Sequence, residues 1–208
     1  MRTNSPRRRV SCKRRLERPE PSKPNESWSI DFMADQLFDG SRFRVLTIVN
    51  NFSRESLAVE PGQGFTGVHV AQVLDRLVAQ RGLPREIWVD NGTEFISKAM
   101  DLWAYAREVK LDFSRPGKPT DNAIIEAFNG LPRKECLNQH WFLSLEDERD
   151  TLETWRIDYN KVRPHGSLGN HAPRNSPGSG ITRRLEEARI LTHRAGQNGV
   201  RPTCATPS

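Results

Sequence analysis

Trp28-Ser29-Ile30-Asp31-Phe32, followed after a turn at Asp39-Gly40 by Phe43, Val45, Thr47 and Val49, is the stretch that decides the fold. Apolar residues there alternate with their neighbours at period two, the signature of half-buried strands. A third strand, Ser56 to Glu60, follows the polar run Asn50-Asn51-Phe52-Ser53-Arg54 and is stopped by Pro61-Gly62. Three strands in such short succession predict an antiparallel meander.

The period then changes. From Thr66 to Gln80 the residues Val70, Val73, Leu74, Leu77 and Val78 recur at helical spacing, and Gly82 and Pro84 end the run. Ile87-Trp88-Val89 is a short continuous apolar run, the pattern of a strand buried on both faces. Glu94 to Glu108 reads as a second helix and Leu111 to Ser114 as a further strand. A third helix begins at Thr120-Asp121-Asn122, all good N-cap types, and carries Ile124, Ile125 and Phe128. A fourth spans Leu145 to Tyr159, and a weak helical patch lies near Ile181 to Leu191. The order βββ-α-β-α-β-α-α predicts an α/β protein: a mixed sheet, antiparallel meander plus parallel strands, with helices on both faces.

Bulk properties narrow the function. The 208 residues suit one domain of ordinary size. No stretch approaches the roughly 18 consecutive apolar residues of a membrane span, and no apolar segment follows Arg7-Arg8-Arg9, so a soluble cytoplasmic protein without membrane contact is expected. Cys12, Cys136 and Cys204 are odd in number and far apart, which excludes a disulfide framework or zinc knuckle. The net charge of +6 is uneven: residues 1 to 24 carry +7 and residues 174 to 208 carry +4, leaving −5 between them. A basic end fits phosphate contact and equally fits a solvated tail. We divide the chain into a basic arm expected to be disordered (1–26), a core (27–171) and a divergent Gly-, Pro-, Ser- and Arg-rich tail expected to be poorly ordered (172–208).

Three acids stand where polar residues are locally unexpected. Asp31 interrupts an apolar strand, Asp90 ends a buried one, and Glu126 opens a helix among Ile124, Ile125 and Phe128. Strand ends of α/β sheets expose functional side chains, and a carboxylate in apolar surroundings is costly unless paired or metal-bound. Three carboxylates brought together repel one another until a divalent cation compensates, and magnesium is the oxygen-seeking ion for that role. With 26 acids in the chain, the 35 residues between Asp90 and Glu126 mean little by themselves.

Context adds more. Trp28-Ser29-Ile30-Asp31-Phe32, Val89-Asp90-Asn91-Gly92-Thr93-Glu94-Phe95 and Asn122-Ala123-Ile124-Ile125-Glu126-Ala127-Phe128-Asn129-Gly130 resemble the three acidic motifs of bacterial insertion-sequence transposases with a retroviral-integrase core. The spacing of 35 matches their Asp-Asp-35-Glu signature. The likeness continues through Arg115 to Pro119, Glu135-Cys136-Leu137-Asn138 and Tyr159-Asn160 to Arg163-Pro164-His165.

The resemblance implies a ribonuclease-H-like fold and a polynucleotidyl transferase that cuts and joins DNA at element ends and target. It implies two Mg²⁺ ions, replaceable by Mn²⁺, with Asp31 and Asp90 bridging them and Glu126 completing one shell. It also implies DNA as partner, a homo-oligomer on DNA and work on the bacterial nucleoid. Lys118, Arg133 and Lys134 are candidate phosphate contacts or simply solvated cations. Asn122 is a helix cap in the first instance and a DNA contact in the second. Gly92 lets the backbone turn tightly after the strand. Trp88, Trp103 and Trp155 read as core, and His165 as no metal ligand.

The sequence also departs from the family. Relatives carry a helix-turn-helix region before the core, so the basic arm or a partner polypeptide would have to read the element ends. Leu131-Pro132 interrupts the glutamate helix and predicts a kink or stop near Gly130. Residues 172 to 208 read as the ending of a truncated or decaying copy. The competing readings are therefore a catalytically silent fragment that binds DNA or assembles with relatives, and a ribonuclease-H-like nuclease on RNA-DNA hybrids.

Overall fold

The structure is a computed structural model that describes residue 18 and residues 20–175. The start of the arm, most of the tail and the helical patch near residue 181 lie outside the described residues. β1 (Ser27–Gln36), β2 (Arg42–Asn50) and β3 (Ser56–Gly62) form the expected antiparallel meander. β4 (Glu86–Val89) pairs in parallel with β1, and β5 (Lys110–Phe113) in parallel with β4. The sheet order is therefore β3-β2-β1-β4-β5, mixed as the element order predicts.

Period-two alternation divides the sheet into two cores. Trp28, Ile30, Leu46, Ile48, Ile87 and Val89 pack on one face with α1 (Gly67–Arg81) and α2 (Lys98–Ala106). Met33, Val45, Val49 and Val59 face the other way, toward Ile125 and Phe128 of α3 (Ala123–Pro132) and Leu152 and Tyr159 of α4 (Leu145–Lys161). Asp31 lies in the same alternation as Met33, so it belongs to the α3 face. Trp88 and Trp103 are buried, and Trp155 packs on Phe128 and Tyr159.

Two helices differ from expectation. α2 starts at Lys98, not Glu94: Gly92 O accepts from the Phe95 and Ile96 amides in a turn, and the Ser97 side chain then caps the helix through the Met100 amide. It ends at Ala106 before Glu108 takes a left-handed φ of 55°. Of the kink or stop expected near Gly130, the stop does not occur there: the α-helix continues to Pro132. α3 runs through Pro132 into a single π-helical turn, Arg133–Leu137. The Arg133 amide bonds Asn129 O and Gly130 O, so the chain keeps turning. Cys136 and Leu137 stay buried.

The outer edge of β3 is covered by side chains from α4. Asn160 accepts from the Ser56 amide (2.9 Å) and donates to the Ser56 carbonyl (2.8 Å), while Arg156 donates to the same carbonyl at 3.1 Å. Farther along, Arg149 reaches Pro61 O at 3.5 Å, and Pro61 itself has no amide to leave unpaired.

Gly67 opens α1 against the Glu94–Ser97 turn. A Cβ there would stand 1.8 Å from Ser97 Oγ and 2.8 Å from Glu94 O. Gly67→Ala therefore displaces the Ser97 cap and forces the turn apart, costing about 2 kcal/mol. The melting temperature should fall by roughly 4 to 8 °C, read by circular dichroism; an unchanged midpoint would show that the turn yields freely.

Candidate active site

The side chain of Asp31, in the middle of β1, is held by α3. Asp31 pairs with Thr47 across β1 and β2. Asn129 bridges the two: its amide donates to Asp31 Oδ2 at 2.9 Å and its carbonyl oxygen accepts from Thr47 Oγ1 at 2.8 Å. Burial pushes the Asp31 carboxyl up to about 6. The charges of Asp90 and Glu126 add to that rise, while hydrogen bonds from the Phe32 backbone and Asn129 oppose it. Asp31 thus feels both other acids although they lie 59 and 95 residues away in sequence.

Asp90 leaves the end of β4, and its Oδ1 accepts the Gly92 amide at 2.8 Å. A Cβ on Gly92 would stand 2.9 Å from that oxygen and 3.3 Å from Glu94 Oε2. Glycine is needed for close approach, not for the left-handed backbone that a tight turn suggests. Glu94 itself is tied to Arg44 at 2.6 Å, and Arg44 lies over the Phe32 ring. Asn91 donates to Ser114 O at 2.9 Å, joining the β4 loop to the end of β5.

Glu126 is exposed in the first turn of α3, one helical turn before Asn129. Among the described residues, no three His, Cys, Asp or Glu side chains stand at metal-ligating spacing. The three acids share an electrostatic neighbourhood without being closed into a ligand cage. As donors they fit a hard dication: all are carboxylate oxygens, and their mutual repulsion is what such an ion relieves.

The weaker candidates are dispersed. Lys118 is exposed in the turn before the short 3-10 segment Pro119–Asn122, and Lys134 is exposed in the π turn. Arg133 donates to Ala34 O at 3.2 Å. Asn122 does not cap α3 with its side chain, as its type suggested. Its Oδ1 is instead 2.7 Å from Ser114 Oγ, and the residue is buried. Sequence reasoning assigned no role to Asn129; its place three residues after Glu126, on a neighbouring position of the same helix, was the available signal.

The outlying motifs are structural. Glu135 accepts from Trp155 Nε1 at 2.8 Å and pairs with Arg163, tying the π turn to the end of α4. Tyr159 donates to Arg54 O, and His165 stacks edge-on against the Tyr159 ring. No helix among the described residues is long and apolar enough to cross a membrane.

A mixed five-stranded sheet in the order β3-β2-β1-β4-β5, with one acid in the central strand, one at the neighbouring strand's end and one on the covering helix, defines a class: the integrase core domain. Two family models so described match residues 21–119 and 107–173. Together the two matches run over residues 21–173, and the chain belongs to the integrase core domain family. It is 48% identical over 153 residues to the insertion element IS407 uncharacterized 31.7 kDa protein of Burkholderia multivorans, covering 74% of this chain and 55% of that one. It is 44% identical over 152 residues to the IS476 uncharacterized 39.2 kDa protein of Xanthomonas euvesicatoria, covering 73% and 44%. The chain thus spans about half the length of these curated relatives. The HTLV-2 integrase catalytic core domain, solved in complex with magnesium in a trimeric form, superposes with a TM-score of 0.58 at 16% identity, over 74% of this chain and 97% of that one. A simian T-cell lymphotropic virus intasome chain gives 0.66 at 17% identity, over 76% and 56%. At such identities the likeness is one of fold.

Proposed function

We propose that this chain is the catalytic core that cuts and joins DNA strands during transposition, with Asp31, Asp90 and Glu126 as its metal-holding carboxylates. The observation that carries this reading is the Asp31 carboxyl, raised by burial and by the charges of Asp90 and Glu126 within an integrase-core fold. Two magnesium ions, or manganese in their place, would supply Lewis-acid stabilisation of the attacking and departing oxygens. Asp31 and Asp90 would hold both ions and Glu126 one.

The chain's own residues do the positioning. Asn129 orients Asp31, the Gly92 amide orients Asp90, and α3 carries Glu126, whose charge acts on Asp31. A water or a DNA 3′-hydroxyl then forms a new bond to phosphorus as the bond to the departing 3′-oxygen breaks in line. Lys118, Arg133 and Lys134 would be the residues that meet phosphate. Because transposition joins separate DNA ends, two or more copies act together on bacterial DNA in the cytoplasm, with the basic arm or a helix-turn-helix polypeptide reading the ends.

Purified chain incubated with pre-cleaved element-end DNA and Mg²⁺ should give joined strands. EDTA should abolish the products, and Mg²⁺ or Mn²⁺ in excess should restore them. Salt-sensitive DNA binding that survives EDTA without any strand product would instead identify a silent fragment. Cleavage confined to RNA-DNA hybrids would identify a nuclease.

A further inference from the structure

Arg18 lies upstream of the sheet in sequence yet is almost wholly buried at the end of it, with its side chain 7% exposed. Its Nε donates to Asp112 Oδ2 at 3.0 Å and one terminal nitrogen to Asp112 O at 2.8 Å. The other terminal nitrogen donates to Asp121 O and lies 3.5 Å from Asn122 Oδ1. The guanidinium stacks over Trp88, 4.8 Å from the ring centre. One side chain therefore spans β4, β5 and the 3-10 turn that opens α3.

These contacts converge on the supports of two candidate carboxylates. Trp88 precedes Asp90 by two residues, and Asn122 precedes Glu126 by one helical turn. Ser114 Oγ lies 2.7 Å from Asn122 Oδ1 and 3.1 Å from Val89 O, so its single proton serves either the α3 opening or the strand leading into Asp90. Asp121 is gripped from its other side by Arg115, at 2.9 and 2.7 Å. A guanidinium can bridge all these groups because its donors form a rigid planar fork, and an ammonium at the same place would reach fewer.

We propose that Arg18 is a positioning residue for the carboxylate site: it clamps the turn before α3 onto β5 and β4 and so fixes Glu126 relative to Asp90. The inference rests on the reading of Asp90 and Glu126 as metal-holding carboxylates. It assigns a site function to a residue in the segment that composition alone marks as an arm.

The test compares the whole chain with Arg18→Ala and Arg18→Lys by amide hydrogen exchange and by titration with Mn²⁺ alone. In Arg18→Ala the amides from Thr120 to Glu126 should exchange at least about tenfold faster, with those of α4 unchanged, and half-saturation by Mn²⁺ should need about tenfold more metal. Arg18→Lys should stay close to Arg18→Ala, since it keeps charge near Asp112 but loses the fork. Unchanged exchange at Thr120 to Glu126 would overturn the proposal. So would acceleration spread evenly over the chain, which marks a residue that merely supports the fold. Local acceleration with unaltered Mn²⁺ titration would overturn it as well. A wild-type chain that takes up no Mn²⁺ would sink the metal reading itself, seen before any substitution is made.

Discussion

Asp90→Asn should lower strand transfer by about a thousandfold while leaving the fold intact. The asparagine carbonyl can still accept the Gly92 amide that Asp90 Oδ1 accepts now, so the loop after β4 keeps its shape. What disappears is a carboxylate whose charge acts on Asp31. Removing that charge weakens the hold on a dication whose stabilisation of the transition state is worth several kcal/mol, and about 4 kcal/mol corresponds to three decades of rate. A second reading accompanies the first. With one repelling charge gone, the Asp31 carboxyl should titrate lower than its present value of about 6, observable by NMR without any DNA present. Equal strand transfer by the variant would remove Asp90 from the mechanism.

Glu148→Gln should stabilise the protein, and increasingly so as pH rises. Glu148 is fully buried in the first turn of α4, and neither side-chain oxygen has a hydrogen-bond partner among the described residues. Burial lifts its carboxyl to about 8, with the Asp35 charge adding to the rise and Arg149 opposing it. Between the ordinary value of 4.5 and about 8, the folded protein holds a proton that the unfolded chain releases. Folding stability therefore falls as pH rises through that window, is unaffected by this group below it, and levels off above it. At pH 7 the penalty is on the order of 3 kcal/mol. The amide carries no such titration, so urea midpoints of the two proteins should nearly coincide at pH 4.5 and diverge by pH 8 in favour of the variant. A gap independent of pH would mean that Glu148 finds a cation or water in solution.

Both cases show which parts of the molecule can be read from the chain. Strands β1 to β3 and helices α1 and α4 were legible because their apolar residues alternate or recur along a local stretch, and local periodicity survives into the structure. The three carboxylates were singled out by resemblance, and the structure adds that Asp31 senses the other two. Asn129, Arg18 and Glu148 were not legible, since each takes its role from partners far away in sequence: Asp31 and Thr47 for Asn129, Asp112 and Asp121 for Arg18, and Asp35 for Glu148. The path through Pro132 was legible only in part: the regular α-helix ends at the proline, yet the chain keeps turning beyond it. The π turn that carries the chain on from Pro132 has no local signal in the sequence.

The cover that α4 places over β3 bears on crowding. Strand-joining assemblies gather several copies of a protein around DNA, the circumstance in which bare sheet margins zip together between molecules. Asn160 offers Ser56 the same donor and acceptor that a foreign strand would bring, and does so from within the chain. At Ser56, a strand from another molecule would find both backbone groups already bonded.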